Sequence, residues 1–271
     1  MMLFLHAFFH LFSAFVQTTQ DILWGLRKMM HIRHVTIRPF PAYKFRVLLR
    51  GFVIYLTYLR QPLRHFRKSF EYPVFDFLKD HLKPGDSVVD LGANVGLLSL
   101  YMSRLVGPHG DVFSIEASKA NAQTLIENVK ANDLNNIIVI NHAVTHQESQ
   151  VYMTSPTGQY NDALLVMRDE YTANSESTMG LPFDQLVQRW NIGRVKLIKI
   201  DIEGAEMFFF KGSTEFFKHH RPILIFETLE SYCNRFGHSS IDVLLFVKSL
   251  GYRLKQLDIE TWTAIYPSDN D

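Results

Sequence analysis

From residue 71 onward, short apolar runs alternate with longer stretches in which apolar positions recur every three or four residues. The runs at 86–91 (DSVVDL), 111–116 (DVFSIE), 137–141 (IIVIN), 195–200 (VKLIKI) and 223–227 (ILIFE) are nearly continuous in Val, Ile, Leu and Phe. Such runs are buried on both faces, which predicts a mainly parallel sheet covered by helices. Helical periodicity occupies 97–105, 119–132, 203–211 and 240–250, with Ser118 and Ser239 as N-caps and Gly251 as a stop. Two further strands, 252–257 and 261–266, are three residues apart and must pair antiparallel. A hairpin is expected at Gln150–Thr154 and Ala163–Met167, within a Ser-, Thr-, Asn- and Gly-rich stretch, 154–180, that reads as a long loop. The chain has no internal repeat.

The first twenty residues contain no Asp, Glu, Lys or Arg. His6, His10, Ser13, Gln17 and Asp21 recur at steps of three or four and form one polar stripe on an otherwise apolar helix. A helix of that kind suits a membrane interface better than a crossing, although a span or packing against a protein core stays open. A second apolar run, Gly51 to Leu59, is too short to span and is flanked by Arg50 and Arg60.

Charge divides the chain at the same place. Residues 1–69 hold eleven Lys and Arg against one acid, Asp21, for a net +10, while the other 202 residues hold 17 basic and 26 acidic, for −9. We therefore expect a basic, amphipathic, helical N-terminal region over 1–69 and a catalytic domain over 70–271. Anionic lipid is the expected partner of the basic part, each cation near such a surface contributing about 1 kcal/mol. That implies a cytoplasmic protein peripherally attached to a membrane. Nucleic acid is the competing partner, and a nucleic-acid-binding enzyme or binding protein the competing function, but the apolar first twenty residues have no use there. At 271 residues and 47% apolar content the chain can fill one large α/β core, and its single cysteine, Cys233, rules out a disulfide framework or a cysteine-based zinc cluster.

The candidate chemistry lies at the strand ends. In VVDLGANVGLLSL, a strand turns into a helix through Gly92, Ala93, Asn94 and Gly96, with Asp90 two residues before the first glycine. The dinucleotide fingerprint has glycine where Asn94 stands, and Asp90 would repel a pyrophosphate. An NAD-dependent oxidoreductase is thereby disfavoured. A ligand with an ammonium, a ribose and no phosphate fits, and S-adenosylmethionine is such a ligand. Glu116, twenty residues after Gly96, ends the next strand and is placed to accept hydrogen bonds from ribose hydroxyls. Asp201 ends the strand of KIDIEGAE and Glu227 that of ILIFE, so four strands are expected to deliver Asp90, Glu116, Asp201 and Glu227 into one acidic crevice.

These residues resemble the FkbM-type methyltransferases of the class I S-adenosylmethionine-dependent fold, over about Glu71 to Leu257. VVDLGANVGLLSL, IEAS, INHAV, KIDIEGAE and FETLE carry the resemblance. It implies a Rossmann-like, doubly wound, seven-stranded α/β sheet, mainly parallel with an antiparallel last strand. It implies methyl transfer to a hydroxyl, often of a saccharide. It places Asp90, Gly92, Ala93, Asn94 and Gly96 around the methionine part of the donor and Glu116 at the ribose. Ala117 follows where the family often has proline. The resemblance further places Asn141 and Ala143 near the adenine, Glu71 near the donor's amino group and Asp201 beside the transferred methyl. Asp201 is the first candidate for the base, followed by Glu203 and Glu227; a divalent cation held by these carboxylates is the alternative.

Overall fold

The computed structural model describes residues 34–40, 43–48, 72–154, 164–166 and 175–267, and the chain divides between Arg64 and His65 into two units. In the first unit, β1 (His34–Phe40) and β2 (Tyr43–Leu48) form an antiparallel hairpin with His34 opposite Leu48 and Ile37 opposite Phe45. A helix was expected throughout this region, and over these residues a strand pair replaces it. Val35, Thr36, Ile37 and Val47 are β-branched, and Pro39 lacks the N–H that a helix interior needs. The expected helices at 1–20 and 51–59 lie outside the described residues. Among the described residues no helix is long and apolar enough to cross a membrane.

The second unit opens with α1 (Tyr72–His81) and then alternates strictly: β3 (Val88–Leu91), α2 (Leu97–Val106), β4 (Val112–Ile115), α3 (Lys119–Ala131) and β5 (Ile137–Ile140). Next come β6 (Ala143–Val144), β7 (Ser149–Thr154), β8 (Leu164–Val166), β9 (Glu176–Leu181) and α4 (Phe183–Arg189). The chain continues through β10 (Leu197–Ile200), α5 (Glu206–Lys211), α6 (Thr214–His219), β11 (Ile223–Glu227) and α7 (Glu230–Cys233). A 3₁₀ turn, Asn234–Phe236, leads to α8 (Ser240–Ser249), β12 (Arg253–Gln256) and β13 (Thr261–Ile265).

Seven of these strands form one sheet in the order β12-β13-β11-β10-β3-β4-β5. The pairs among β11, β10, β3, β4 and β5 are parallel, and β13 runs antiparallel to both its neighbours. The fold expected from the alternating runs is thus the observed one. Burial explains it: all four residues of β3, β4 and β10 are buried, as expected of strands covered on both faces. One core joins the sheet to its helices, with Phe183, Phe209, Phe210 and Phe226 wholly buried and the Phe183 and Phe209 rings 5.1 Å apart edge to face.

The caps read from the sequence are present. The Ser118 side chain accepts the Asn121 N–H at the start of α3, and Ser239 and Asp242 form a reciprocal capping box on α8. The hairpin at 150–154 and 163–167 appears as β7 and β8, in a second, four-stranded sheet ordered β6-β9-β7-β8. The long-loop expectation fails over Glu176–Leu181, which is strand β9 and pairs with β7 from Ser149–Gly180 to Met153–Glu176. Glu176 and Thr178 are half-buried and Ser177 is exposed, so tertiary pairing overrides a composition that looks like loop.

Gly92, just after β3, lies against the backbone that follows β10. Its φ is +78°, and a Cβ placed on it would overlap the backbone carbonyl oxygen of Asp201. Gly85 has a similar φ of +91° and open space around it. Gly92→Ala should therefore lower unfolding stability in urea by at least about 2 kcal/mol, and Gly85→Ala by only about 1 kcal/mol. Equal losses at the two positions would mean that backbone conformation, rather than the contact with Asp201, is what requires glycine at 92.

Candidate active site

The register of the parallel strands sets the depth of each acid. Leu91 pairs with both Ile115 and Ile200, and Ile200 with Phe226. Glu116, Asp201 and Glu227 are therefore one level beyond these pairs, at the ends of β4, β10 and β11 on the carboxyl side of the sheet, where open α/β sheets bind ligands. Asp90 lies two residues below that level, level with Lys199 and Ser114, and is completely buried. The structure thus brings the four acids to one end of the sheet, three at the rim and one beneath it.

Asp90 is held from several sides. The Ser114 hydroxyl donates to Ser99 Oγ at 2.8 Å, and the Ser99 hydroxyl donates to Asp90 Oδ2 at 2.5 Å. The Lys199 Nζ is 3.8 Å from Asp90 Oδ1 and donates to Asp201 Oδ2 at 3.0 Å. Burial pushes the Asp90 carboxyl up, against the Lys199 ammonium and the Ser99 hydrogen bond, which favour its charged form. Lys199, only 7% exposed, is the residue the sequence reading missed. Its signal was present: strand side chains alternate, so a lysine two positions before Asp201 must share its face.

The turn after β10 is built for presentation. Glu203 has φ +56° and Gly204 φ +99°, two consecutive left-handed residues, the first without glycine's freedom. Glu206 stabilises this turn rather than merely starting a helix: its buried Oε1 accepts the N–H of Gly204 at 3.1 Å and of Ile202 at 3.3 Å. Glu203 is half-buried, and burial followed by the neighbouring Asp201 charge pushes its carboxyl up to about 7. Burial likewise brings Glu206 up to about 7. The Tyr232 hydroxyl is pushed up chiefly by Glu203, which places α7 against the same acids.

On the other side of β3, Asn94 adopts φ +51°, a conformation asparagine tolerates better than most residues, and its N–H donates to Glu116 Oε2 at 2.8 Å. Ser118 N–H donates to Glu116 Oε1 at 2.8 Å, yet burial raises the Glu116 carboxyl to about 7. A Cβ on Gly96 would strike the Leu125 side chain, and one on Gly92 the Asp201 carbonyl, so both glycines are also required by contacts within the protein. Ala93 is buried, and its N–H and that of Gly92 both donate to the Ile115 carbonyl, at 3.0 and 2.9 Å. Asn141 donates to the carbonyls of Glu116 at 2.8 Å and Ala117 at 3.1 Å, tying the ends of β4 and β5 together. Ala143 is buried in a small apolar cluster with Met153 and Ala205, against which the half-buried Ala117, Ile202 and Phe208 pack. His142 contacts the Met179 carbonyl at 3.2 Å and Trp190 edge to face, a structural setting. Glu71 lies outside the described residues.

The donor expected from the sequence can be tested against these groups. Asn94 Oδ1 and Glu206 Oε2 are buried acceptors without a hydrogen-bond partner, and Asp90 Oδ1 accepts no hydrogen bond either. Acceptors in surplus beside several carboxylates match a ligand rich in donors and positive charge, and would repel a phosphate. S-adenosylmethionine, with an ammonium, a sulfonium and two ribose hydroxyls, fits that set. Glu116, Asn94 and Asp201, all expected at the donor, lie together at this end of the sheet. Among the described residues no group of three or more His, Cys, Asp or Glu is arranged to hold a metal ion.

Comparison with known proteins gives the same direction. The family model of the methyltransferase FkbM domain matches residues 90–254. Methyltransferase 1 of Beauveria bassiana is 24% identical over an alignment of 148 positions that covers 48% of this chain and 59% of that protein. The 23S rRNA (uracil(1939)-C(5))-methyltransferase RlmD of Psychrobacter arcticus is 37% identical over 65 residues, 24% of this chain and 13% of that protein. The chain thus spans less than two thirds of the length of both relatives. A crystal structure of a SAM-dependent methyltransferase from Aquifex aeolicus overlays on 79% of this chain and 98% of its own, at 16% identity and a TM-score of 0.44.

The three raised glutamates make stability depend on pH. Each holds its proton in the folded state up to about 7 but loses it near 4.5 when unfolded. Folding then takes up protons, so stability is greatest below the ordinary value and is lost as pH rises toward 7. Without ligand, unfolding free energy should fall between about pH 5 and 7, each group adding a slope of up to about 1.4 kcal/mol per pH unit. Glu203→Gln should flatten this slope; a flat wild-type profile in urea titrations would show that these acids are ionised throughout.

Proposed function

Because the chain belongs to the family of methyltransferases that carry the FkbM domain, we propose that it is an S-adenosylmethionine-dependent O-methyltransferase acting on a hydroxyl of a saccharide or lipid-linked glycan. The observation that carries this reading is the row of carboxylates on neighbouring strands, Glu116, Asp201 and Glu227 with Asp90 beneath, around a surplus of buried acceptors. When bound, S-adenosylmethionine supplies a methyl group already activated on a sulfonium. The protein's share is then orientation and proton removal. Alignment alone contributes about 7–11 kcal/mol in well-oriented reactions. Glu116 accepts the ribose hydroxyls, and Asp201 offers negative charge to the sulfonium side. Of the three candidate bases, Glu203 suits the acceptor hydroxyl best: a carboxyl brought up to about 7 by burial is matched to proton abstraction at neutral pH. Asp201, held by the Lys199 ammonium, orients rather than abstracts.

Calorimetry tests the donor and mass spectrometry the acceptor. The full chain should bind S-adenosylmethionine and not NAD. Glu116→Ala should weaken binding about ten- to a hundredfold, the range of hydrogen bonds to a charged group. Glu203→Gln should leave affinity within about threefold while lowering methylation of an extracted glycan fraction about 10²–10⁴-fold. Equal loss of binding and turnover would remove Glu203 from the base role, and nicotinamide binding would overturn the whole reading.

The charge split supports a companion proposal, that residues 1–69, at +10, attach the enzyme to the cytoplasmic face of an anionic membrane. The full chain should sediment with vesicles containing phosphatidylserine and release with salt, and deleting residues 1–40 should abolish this. A salt-sensitive shift of an oligonucleotide instead would point to nucleic acid.

A further inference from the structure

We propose that Lys199 is a positioning residue for the reaction, a buried ammonium that keeps Asp201 charged and aimed at the crevice by bridging it to Asp90. The inference rests on the reading that Asp201 faces the donor, and it adds a residue outside the expected donor-binding and base set. Its geometry is specific. Lys199 and Asp90 are directly paired on adjacent parallel strands, so their side chains leave the same face of the sheet. Lys199 Nζ is 3.0 Å from Asp201 Oδ2 and 3.8 Å from Asp90 Oδ1. The lysine and Asp90 side chains are 9% and 0% exposed, whereas that of Asp201 is 26% exposed. Charge is thus anchored inside and shown at the rim.

The other groups around Asp201 make a cation necessary. Glu203 and Glu206 of the following turn and Tyr232 of α7 all feel its charge, and Glu116 and Glu203 feel that of Lys199. Arg235 acts on Glu203 from the far side. The Lys199 ammonium, in hydrogen-bond contact with Asp201, offsets the repulsion among these carboxylates. The Ser114–Ser99–Asp90 chain completes the support, fixing the Asp90 carboxylate so that its charge holds the ammonium in place.

The test is the pH dependence of unfolding in urea, read on the full chain between about pH 4 and 8. Lys199→Met is expected to add a fall in stability with rising pH, up to about tenfold in the folding equilibrium constant per pH unit. Lys199→Arg should keep the wild-type profile. Should Lys199→Met fail to fold, the pair Asp90→Asn with Lys199→Met removes the deepest uncompensated charge and leaves Asp201 to report. Adding Asp201→Asn to that pair should abolish the extra slope. A loss of stability equal at every pH would overturn the proposal, because a lysine that only fills space moves no titration. S-adenosylmethionine binding gives the second readout. The Lys199→Met variant should lose affinity as pH falls, at a higher midpoint than wild type, and an unmoved midpoint would overturn the proposal. Failure of the wild type to bind the donor would instead sink the methyltransferase reading, and the unfolding series would still judge the coupling of Lys199 to Asp201.

Discussion

The carbonyl oxygen of Asp201 occupies the space that any side chain at position 92 would need, and this backbone contact sets the height of everything at the rim of the sheet. Asp201 N–H donates to the Leu91 carbonyl at 3.0 Å, continuing the ladder one residue past the strand pair. On the other side, Gly92 and Ala93 donate to Ile115, which brings Glu116 to the same level. Two strand ends are thus locked to the central one by main-chain bonds, without help from a ligand. The glycine turn that suggests a ligand cradle is first of all a device for packing three strand ends tightly enough that their acids converge.

Much of this was legible in the sequence because the decisive signals are local. Near-continuous apolar runs mark buried parallel strands, and every one of the seven sheet strands falls where such a run or its antiparallel partner was read. Ser118 and Ser239 marked helix starts through a side-chain bond made within three residues. The failures in the second unit have one cause, dependence on partners distant in sequence. Strand β9 is polar and contains Gly180, and it exists because β7 and β6 pair with it. Lys199 looked like an exception inside an apolar strand until Asp90, 109 positions earlier, came level with it.

The site also departs from what would make the fold most stable. Glu116, Glu206 and Asp90 are buried, and burial raises all three. Removing a partner from a buried charge typically costs about 3–5 kcal/mol, so such a cluster survives only with its hydrogen bonds and its cation in place. Glu203 adds a left-handed backbone, worth about 1–3 kcal/mol of strain. The aromatic core between sheet and helices, with Phe183, Phe209, Phe210 and Phe226 fully buried, is the counterweight. Local instability at the sheet rim is affordable because the apolar layer beneath it is continuous.

These energetic facts together define what the crevice prefers. Burial brings the Glu116 carboxyl up to about 7, close to neutral pH. A cation entering beside it lowers the cost of ionising it, and ionisation in turn strengthens its hold on the cation. A neutral ligand gains nothing from this coupling, and an anion reverses it. The crevice therefore discriminates by charge twice, once through fixed carboxylates and once through protons it can release. A sulfonium donor meets both conditions, whereas the thioether left after methyl transfer has lost the charge that drew the protons out. Product release is favoured by the same acids that favour donor capture, because the donor's attraction to them ends when its positive charge is gone, the acceptor's proton having passed to the base.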